Sequence, residues 1–454
     1  MKKKTRISLS TTQVIMLSFL LVILAGGLLL SLPVSTQSGE AVSFTDALFT
    51  ATTATCVTGL VTLPTVSTWS IFGQAVILLL IQIGGLGLIT VISGFMISMH
   101  KRFGISGKML VQDSFNLNTL SGLSDFVRRA IKGTLIVECV GALAYMTVFV
   151  PEFGARGIWI SVFNSVSAFC NAGIDIIAED SLCGYVTNPV INLVTCLLII
   201  LGGLGYVVWW DVIRVSSAVK KKGIKALREL TLHSKIALSF TALLIGAGAV
   251  GIFIFEYSNP LTVKDCSIYE KIQFAFFQSV TTRTAGFATV PQENLTNASA
   301  VLSLLLMFIG GSPVGTAGGV KTVTVAVLIA AAASAIKGRE QVNIFSRSIN
   351  PASVRKAMGV TAMSFAILFA STVLLSAVTP DAHFADVIYE TVSATATVGL
   401  TRGFTSSLDL WGKLIIIVTM YLGRVGPISL ALAFRFRKIN RNAVKNPTEE
   451  ISVG

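Results

Sequence analysis

Apolar residues run along this chain in blocks too long for a soluble core, separated by shorter stretches rich in Thr, Ala, Ser and Gly. Residues 7–39 contain no charged side chain, and roughly 20 apolar residues suffice for a helix to cross a bilayer core. The pattern recurs as four units, at 12–100, 131–216, 234–336 and 358–434. First membrane helices are expected over 12–32, 131–150, 234–257 and 358–379, and second ones over 69–100, 188–216, 298–336 and 408–434. Between them lie short helices over 44–56, 159–170, 268–282 and 384–396. These are too short to span and suit re-entrant elements, which lipid tolerates only where protein buries them. The fold class expected is an all-α polytopic membrane protein. Four units of membrane helix, pore helix and membrane helix surround a central pore, giving eight spanning and four re-entrant helices, with a cytoplasmic tail at 435–454.

A glycine tetrapeptide follows each short helix: Val57-Thr58-Gly59-Leu60, Asn171-Ala172-Gly173-Ile174, Thr284-Ala285-Gly286-Phe287 and Thr397-Val398-Gly399-Leu400. Their glycines are separated by 114, 113 and 113 residues, and a fixed period means one structural unit repeated. Arranged about one axis, the four segments would offer rings of backbone carbonyls that replace the hydration shell of a cation. Glycine permits the dihedrals that turn successive carbonyls inward. A helix ending just before each segment points its negative dipole end at the ion.

A second glycine motif sits in each second membrane helix. The four copies are Gly84-Gly85-Leu86-Gly87, Gly202-Gly203-Leu204-Gly205, Gly310-Gly311-Ser312-Pro313 and Gly423-Arg424-Val425-Gly426-Pro427, beginning 25, 29, 24 and 24 residues after the tetrapeptide glycine. Such glycines let membrane helices approach closely. The third copy continues as Val314-Gly315-Thr316-Ala317-Gly318-Gly319, too rich in glycine to hold a regular helix. Irregular backbone at membrane depth belongs beside a cavity, so residues 310–319 are expected to form a mobile barrier under the ring. Lys321 follows, but Val320 separates it from Gly319, so this is not a phosphate-binding loop.

Composition narrows the class. The chain of 454 residues is 53% hydrophobic and 13% charged, with mean hydropathy +0.78, where a soluble protein carries about 25% charged residues. The N-terminal apolar stretch is too long for a signal peptide and lacks a small-x-small cleavage site, so a retained helix is expected. The net charge of +13 would suggest nucleic acid in a soluble protein. Here 27 of the 35 Lys and Arg fall in segments ending at 6 or lying at 101–108, 128–132, 214–235, 337–356 and 435–445, all termini or connections between units. The positive-inside rule places these in the cytoplasm, with both termini, and points to anionic lipid rather than nucleic acid. Neither the six cysteines nor the three histidines show metal-ligand spacing. Cys183 and Cys266 fall in outer loops, and their pairing is left open.

Charged groups inside apolar segments are costly and usually functional. Arg424 is read as a cation facing the conduction path, a gate or rate-limiter, with a structural brace to nearby carbonyls as the alternative. Arg283 is read as a brace for the third segment, and Glu138 as a partner in an interhelical hydrogen bond. Asp175, just past the second tetrapeptide, either attracts cations at the outer mouth or caps its own loop.

These motifs resemble the Trk/Ktr/HKT superfamily of potassium transporters, and most nearly its Ktr-type membrane subunit, over nearly the whole chain. The residues that carry the resemblance are Val57–Leu60 after a Thr/Ala-rich helix, Asn171-Ala172-Gly173-Ile174-Asp175, Thr281–Phe287, Gly310–Thr322 and Gly423–Pro427. The fourth tetrapeptide is also nearly the Thr-Val-Gly-Tyr of tetrameric potassium channels. The resemblance implies a potassium filter at Val57, Thr58, Gly59, Asn171, Ala172, Gly173, Thr284, Ala285, Gly286, Thr397, Val398 and Gly399. It implies a gate formed by Gly310, Gly311, Ser312, Gly315, Thr316, Ala317, Gly318 and Gly319, with Lys321 and Arg424. It further implies a homodimer in the plasma membrane on a cytosolic ring of nucleotide-binding RCK subunits. Nucleotide would bind that ring and not this chain, which carries no covalent cofactor. Gly59 argues against the sodium permeability of members with serine there; sodium activation is left open.

Two other functions compete. A secondary transporter coupled to sodium or protons generally shows inverted repeats and intramembrane carboxylates, whereas these units run in one sense with few buried acids. An enzyme would need a nucleophile–base or metal constellation, and none is present in the sequence.

Overall fold

The computed structural model describes residues 11–87 and 123–426. The remainder of the first unit's second helix (88–100), the end of the fourth unit's (427–434), the tail and the basic segments at the N-terminus and 101–108 lie outside the described residues. Helices follow in four groups. First come α1 (Thr11–Leu30), α2 (Phe44–Cys56) and α3 (Ile71–Leu86), then α4 (Leu123–Phe153), α5 (Ala155–Cys170), α6 (Pro189–Leu204) and α7 (Tyr206–Lys222). Next are α8 (Leu232–Glu256), α9 (Ile268–Thr281), α10 (Asn297–Phe308) and α11 (Thr322–Ile336), and last α12 (Pro351–Val378), α13 (Phe384–Ala396) and α14 (Leu410–Val425). A two-stranded hairpin, β1 (Asn343–Ile344) with β2 (Arg347–Ser348), joins α11 to α12. The chain is otherwise an all-helical, multi-pass membrane protein.

Among the described residues α1, α4, α8 and α12 are long and apolar enough to cross a membrane. The second membrane helices differ from the continuous spans expected. α6 and α7 are bent by 99° at Gly205; α3 ends at Gly87 and α14 at Gly426. The cause is backbone conformation. Gly205 has φ +85 and ψ 145, a region closed to residues bearing a Cβ, and no α-helix continues through it. The third span breaks earlier, between α10 and α11, at the glycine-rich segment.

Two of the four short helices, α2 and α9, start with side-chain caps. Ser43 accepts from the Asp46 amide at 3.1 Å, and Ser267 with Glu270 forms a reciprocal capping box. An ion pair at 2.6 Å between Asp46 and Lys413 joins α2 to α14, the first group to the last.

Three of the second-motif glycines then set how closely the next helix approaches. A Cβ on Gly84, Gly202 or Gly423 would collide with the main-chain oxygen of Thr55, Phe169 or Thr395 respectively. Each of those oxygens lies four residues before a tetrapeptide glycine. The close approach expected of these motifs therefore has a specific target, the last turn of a short helix.

Candidate functional site

The four glycine segments come together. Each opens on a residue in the left-handed region, Val57 (φ 55), Asn171 (φ 58), Thr284 (φ 66) and Thr397 (φ 52). That conformation costs a residue other than glycine roughly 1–2 kcal/mol. It is held by the helix behind. The amides of Thr58, Ala172 and Val398 each donate at 2.8 Å to the carbonyls of Thr53, Ser167 and Ser393, and that of Ala285 at 2.9 Å to Thr281. Side-chain hydroxyls take more: Thr53 accepts from Gly59 at 2.9 Å, Ser393 from Gly399 at 3.0 Å and Ser167 from Ile174 at 3.2 Å. One hydroxyl on each of α2, α5 and α13 is thus explained by the amide it receives.

With the amides bound outward, the carbonyls are left over. Among the described residues nothing donates a hydrogen bond to the oxygens of Thr58, Ala172, Ala285 or Val398. These oxygens form a closed cycle with the glycines. A Cβ built on Gly59 would lie 2.7 Å from the Ala172 oxygen, on Gly173 2.6 Å from Ala285, and on Gly286 2.5 Å from Val398. On Gly399 it would strike the oxygen of Thr58, back in the first segment. Four segments 113 or 114 residues apart therefore meet in chain order around one centre. A buried carbonyl oxygen without a donor costs free energy. A desolvated cation is a partner that satisfies all four at once.

The glycine-rich segment lies against the starts of these tetrapeptides. Its neck is closed by Gly310 N to Val320 O at 3.0 Å and Thr322 N to Gly311 O at 3.0 Å. Ser312 and Thr316 donate their amides to the oxygens of Gly203 and Gly202, at 2.8 and 3.1 Å. The Thr316 hydroxyl lies 3.0 Å from the Asn171 side-chain oxygen, and the Gly318 amide donates to the Thr284 hydroxyl at 3.1 Å. A Cβ on Gly318 would collide with the Thr397 hydroxyl. One loop thus contacts the opening residue of three of the four segments. Pro313, Val314 and Gly315 are half-buried, and Ala317 is fully enclosed.

Three cations hold this loop by its carbonyls. Arg424 donates to Thr316 O at 2.6 Å and, through its other terminal nitrogen, to Gly84 O. Lys321 donates to Ala317 O at 2.5 Å. Arg283 donates to Gly310 O at 3.1 Å, so it braces the loop's entry as well as standing beside the third segment. Among the described residues none of the three forms an ion pair.

Other singled-out residues lie off the ring. Glu138 accepts from the Gln82 amide at 3.3 Å, the interhelical bond expected of it. Asp175 accepts from the Ser181 hydroxyl at 2.6 Å and the Ile177 amide at 3.4 Å, which makes it a cap of its own loop. Burial pushes its carboxyl up to about 6, against the lowering effect of those hydrogen bonds. The sequence reading missed Glu390, fully buried behind the fourth segment, and the carbonyls of Gly202 and Gly203 that seat the loop. A comparison of the four units position by position would have exposed Glu390, since its register carries an acid in one unit only.

The chain matches the TrkH family, described as "Cation transport protein", over residues 2–442. It is similar to the potassium/sodium uptake protein NtpJ of Enterococcus hirae, 38% identical with 100% of this chain and 99% of that protein covered. It is also 38% identical to the Ktr system potassium uptake protein B of Bacillus subtilis, over 97% of this chain and 96% of that one. In fold it is similar to the crystal structure of the potassium transporter TrkH from Vibrio parahaemolyticus. The TM-score is 0.75 at 17% identity, over 96% of this chain and 86% of that one.

Proposed function

Because the chain belongs to the TrkH family of cation transport proteins, we propose that it carries potassium into the cell through the ring of glycine segments, by channel-like translocation. The observation that carries this reading is the closed cycle of four donor-free carbonyls, one per segment. On it, four units of membrane helix, pore helix and membrane helix surround one pore. Residues 57–59, 171–173, 284–286 and 397–399 form its filter, whose carbonyls replace water around potassium. Acid side chains are not needed there, and their absence from the ring keeps the ion from binding too tightly to leave.

The loop 310–319 is the gate in this reading. It lies against the inner end of the filter, has glycine at five of its ten positions, and is latched by Arg424 through Thr316 O and by Lys321 through the oxygens of Ala317 and Gly318. Release also requires the loop to give up the contacts of Thr316 with Asn171 and of Gly318 with Thr284, so its movement is coupled to the opening residues of the filter. The Ktr system named for a relative supports a Ktr-type assembly: a homodimer in the plasma membrane, both termini cytoplasmic, on a separate nucleotide-binding ring docked against the basic connections. Lys337, Arg339 and Arg347 are exposed there, beside the β1–β2 hairpin.

Uptake of radioactive rubidium into proteoliposomes tests the translocation mode. With potassium inside and no sodium or proton gradient, a pore fills the vesicles. Uptake that appears only when a sodium or proton gradient is imposed would instead identify a coupled transporter.

A further inference from the structure

We propose that Glu390 is a positioning residue that holds the outer end of the fourth glycine segment through Thr401, and so contributes to ion selectivity. The inference rests on the filter reading above. Glu390 lies on α13, nine residues before Gly399, and is fully buried. Both its carboxylate oxygens accept hydroxyl donors from the chain that leaves the ring: Thr401 at 2.7 Å and Thr405 at 2.5 Å. The Thr401 hydroxyl in turn accepts from the amides of Phe404 and Thr405, at 3.2 and 3.4 Å. One carboxylate therefore orders the whole turn that begins directly after Leu400.

Its partners are these hydroxyls and not a cation. The nearby Arg402 pairs with Asp386 at 2.8 Å, and among the described residues no ion pair reaches Glu390. A buried carboxylate satisfied only by hydroxyl donors demands both of them in place. Because α13 also holds the segment's inner end through Ser393, at 2.8 and 3.0 Å, one helix fixes the segment on both sides of Gly399. The spacing of its carbonyls is set between those two points. The corresponding positions nine residues before Gly59, Gly173 and Gly286 are Thr50, Asn164 and Phe277. Of these four positions only the fourth carries a carboxylate. Glu390 itself never meets the ion, being shut off from the pore by the segment it supports.

A double-mutant cycle on the full chain tests this. Sodium and potassium are compared as competitors of radioactive rubidium uptake in proteoliposomes, for Glu390→Gln, Thr401→Val, the pair together, Thr401→Ser and Gly399→Ser. The expected result is a fall of about five- to tenfold in potassium-over-sodium preference for each of the first two. The pair should lose no more than the worse single, because both changes cut one link. Thr401→Ser, which keeps the hydroxyl, should lie nearer the parent than Thr401→Val. Size-exclusion profile and thermal midpoint identify variants that fail to fold, and Thr401→Val carries the test if Glu390→Gln is among them. Parental preference in folded Glu390→Gln and Thr401→Val, or losses that multiply in the pair, overturns the inference while a shifted Gly399→Ser leaves the filter standing. An unshifted Gly399→Ser counts against the filter itself.

Discussion

Arg424 donates a hydrogen bond to the main-chain oxygen of Thr316, 2.6 Å away and 108 residues earlier in the chain. Its second terminal nitrogen binds Gly84 O at the end of α3. The arginine therefore links α14 to α3 and to the glycine-rich loop. The arginine ties the loop, and on the gate proposed above its charge would also repel an approaching cation. These two bonds are the structural brace to nearby carbonyls weighed for it from sequence, and its role as a gate is the proposal tested next.

Removing that tie should open the pore. A hydrogen bond to a charged group contributes about 1.5–3 kcal/mol, so its loss shifts the balance between latched and released loop by roughly 10- to 100-fold. Arg424→Ala is expected to raise rubidium flux several-fold, and deletion of residues 316–318 to raise it further, since the barrier itself is shortened. Both are compared with the parent as purified, folded protein in proteoliposomes. Flux no higher than the parent's in both would assign the loop a structural role.

The glycines that face short-helix carbonyls should tolerate no side chain. Gly202→Ala and Gly423→Ala force a Cβ onto Phe169 O and Thr395 O, and overpacking of this kind costs about 1–3 kcal/mol. Their thermal midpoints in detergent should drop by several degrees. Gly184→Ala, whose added Cβ would meet no atom within 4 Å, is the control and should stay within about 0.5 kcal/mol of the parent.

Much of this architecture is readable from the chain because its signals are local. The short helices expected at 44–56 and 384–396 are found at Phe44–Cys56 and Phe384–Ala396. Their apolar and hydroxyl content ends at a residue forced into the left-handed region. The helix ends at Gly87 and Gly205 are not readable in the same way, because a glycine there reads equally as a packing glycine and only φ distinguishes the two. Nor does any local pattern announce that Thr316 meets Asn171, 145 residues away, or that Arg283 reaches Gly310. Those contacts exist only once the four segments have closed into a ring.

Asp175 provides a pH test outside the spanning helices. Its carboxyl is raised from an ordinary value of 3.8 to about 6 by burial, so the folded protein binds this proton more tightly than the unfolded chain. Stability from this group is fully present below about pH 4 and is lost as pH rises through 6, by up to about 3 kcal/mol. Asp175→Asn carries no charge to bury. Its thermal midpoint relative to the parent should therefore be higher at pH 7.5 than at pH 5. An equal difference at both values would show that the parent carboxyl titrates below this window.

The most direct test of the central claim is the potassium-over-sodium preference of four single variants, Gly59→Ser, Gly173→Ser, Gly286→Ser and Gly399→Ser. A side chain on any of them meets the carbonyl of the neighbouring segment and turns it from the centre. Preference is measured as competition of potassium and sodium against rubidium uptake by each purified variant. The account predicts a loss of roughly tenfold or more in every one, since each glycine borders the same ring. Four folded, transporting variants with unchanged preference would contradict it, and would place ion selection elsewhere in the chain.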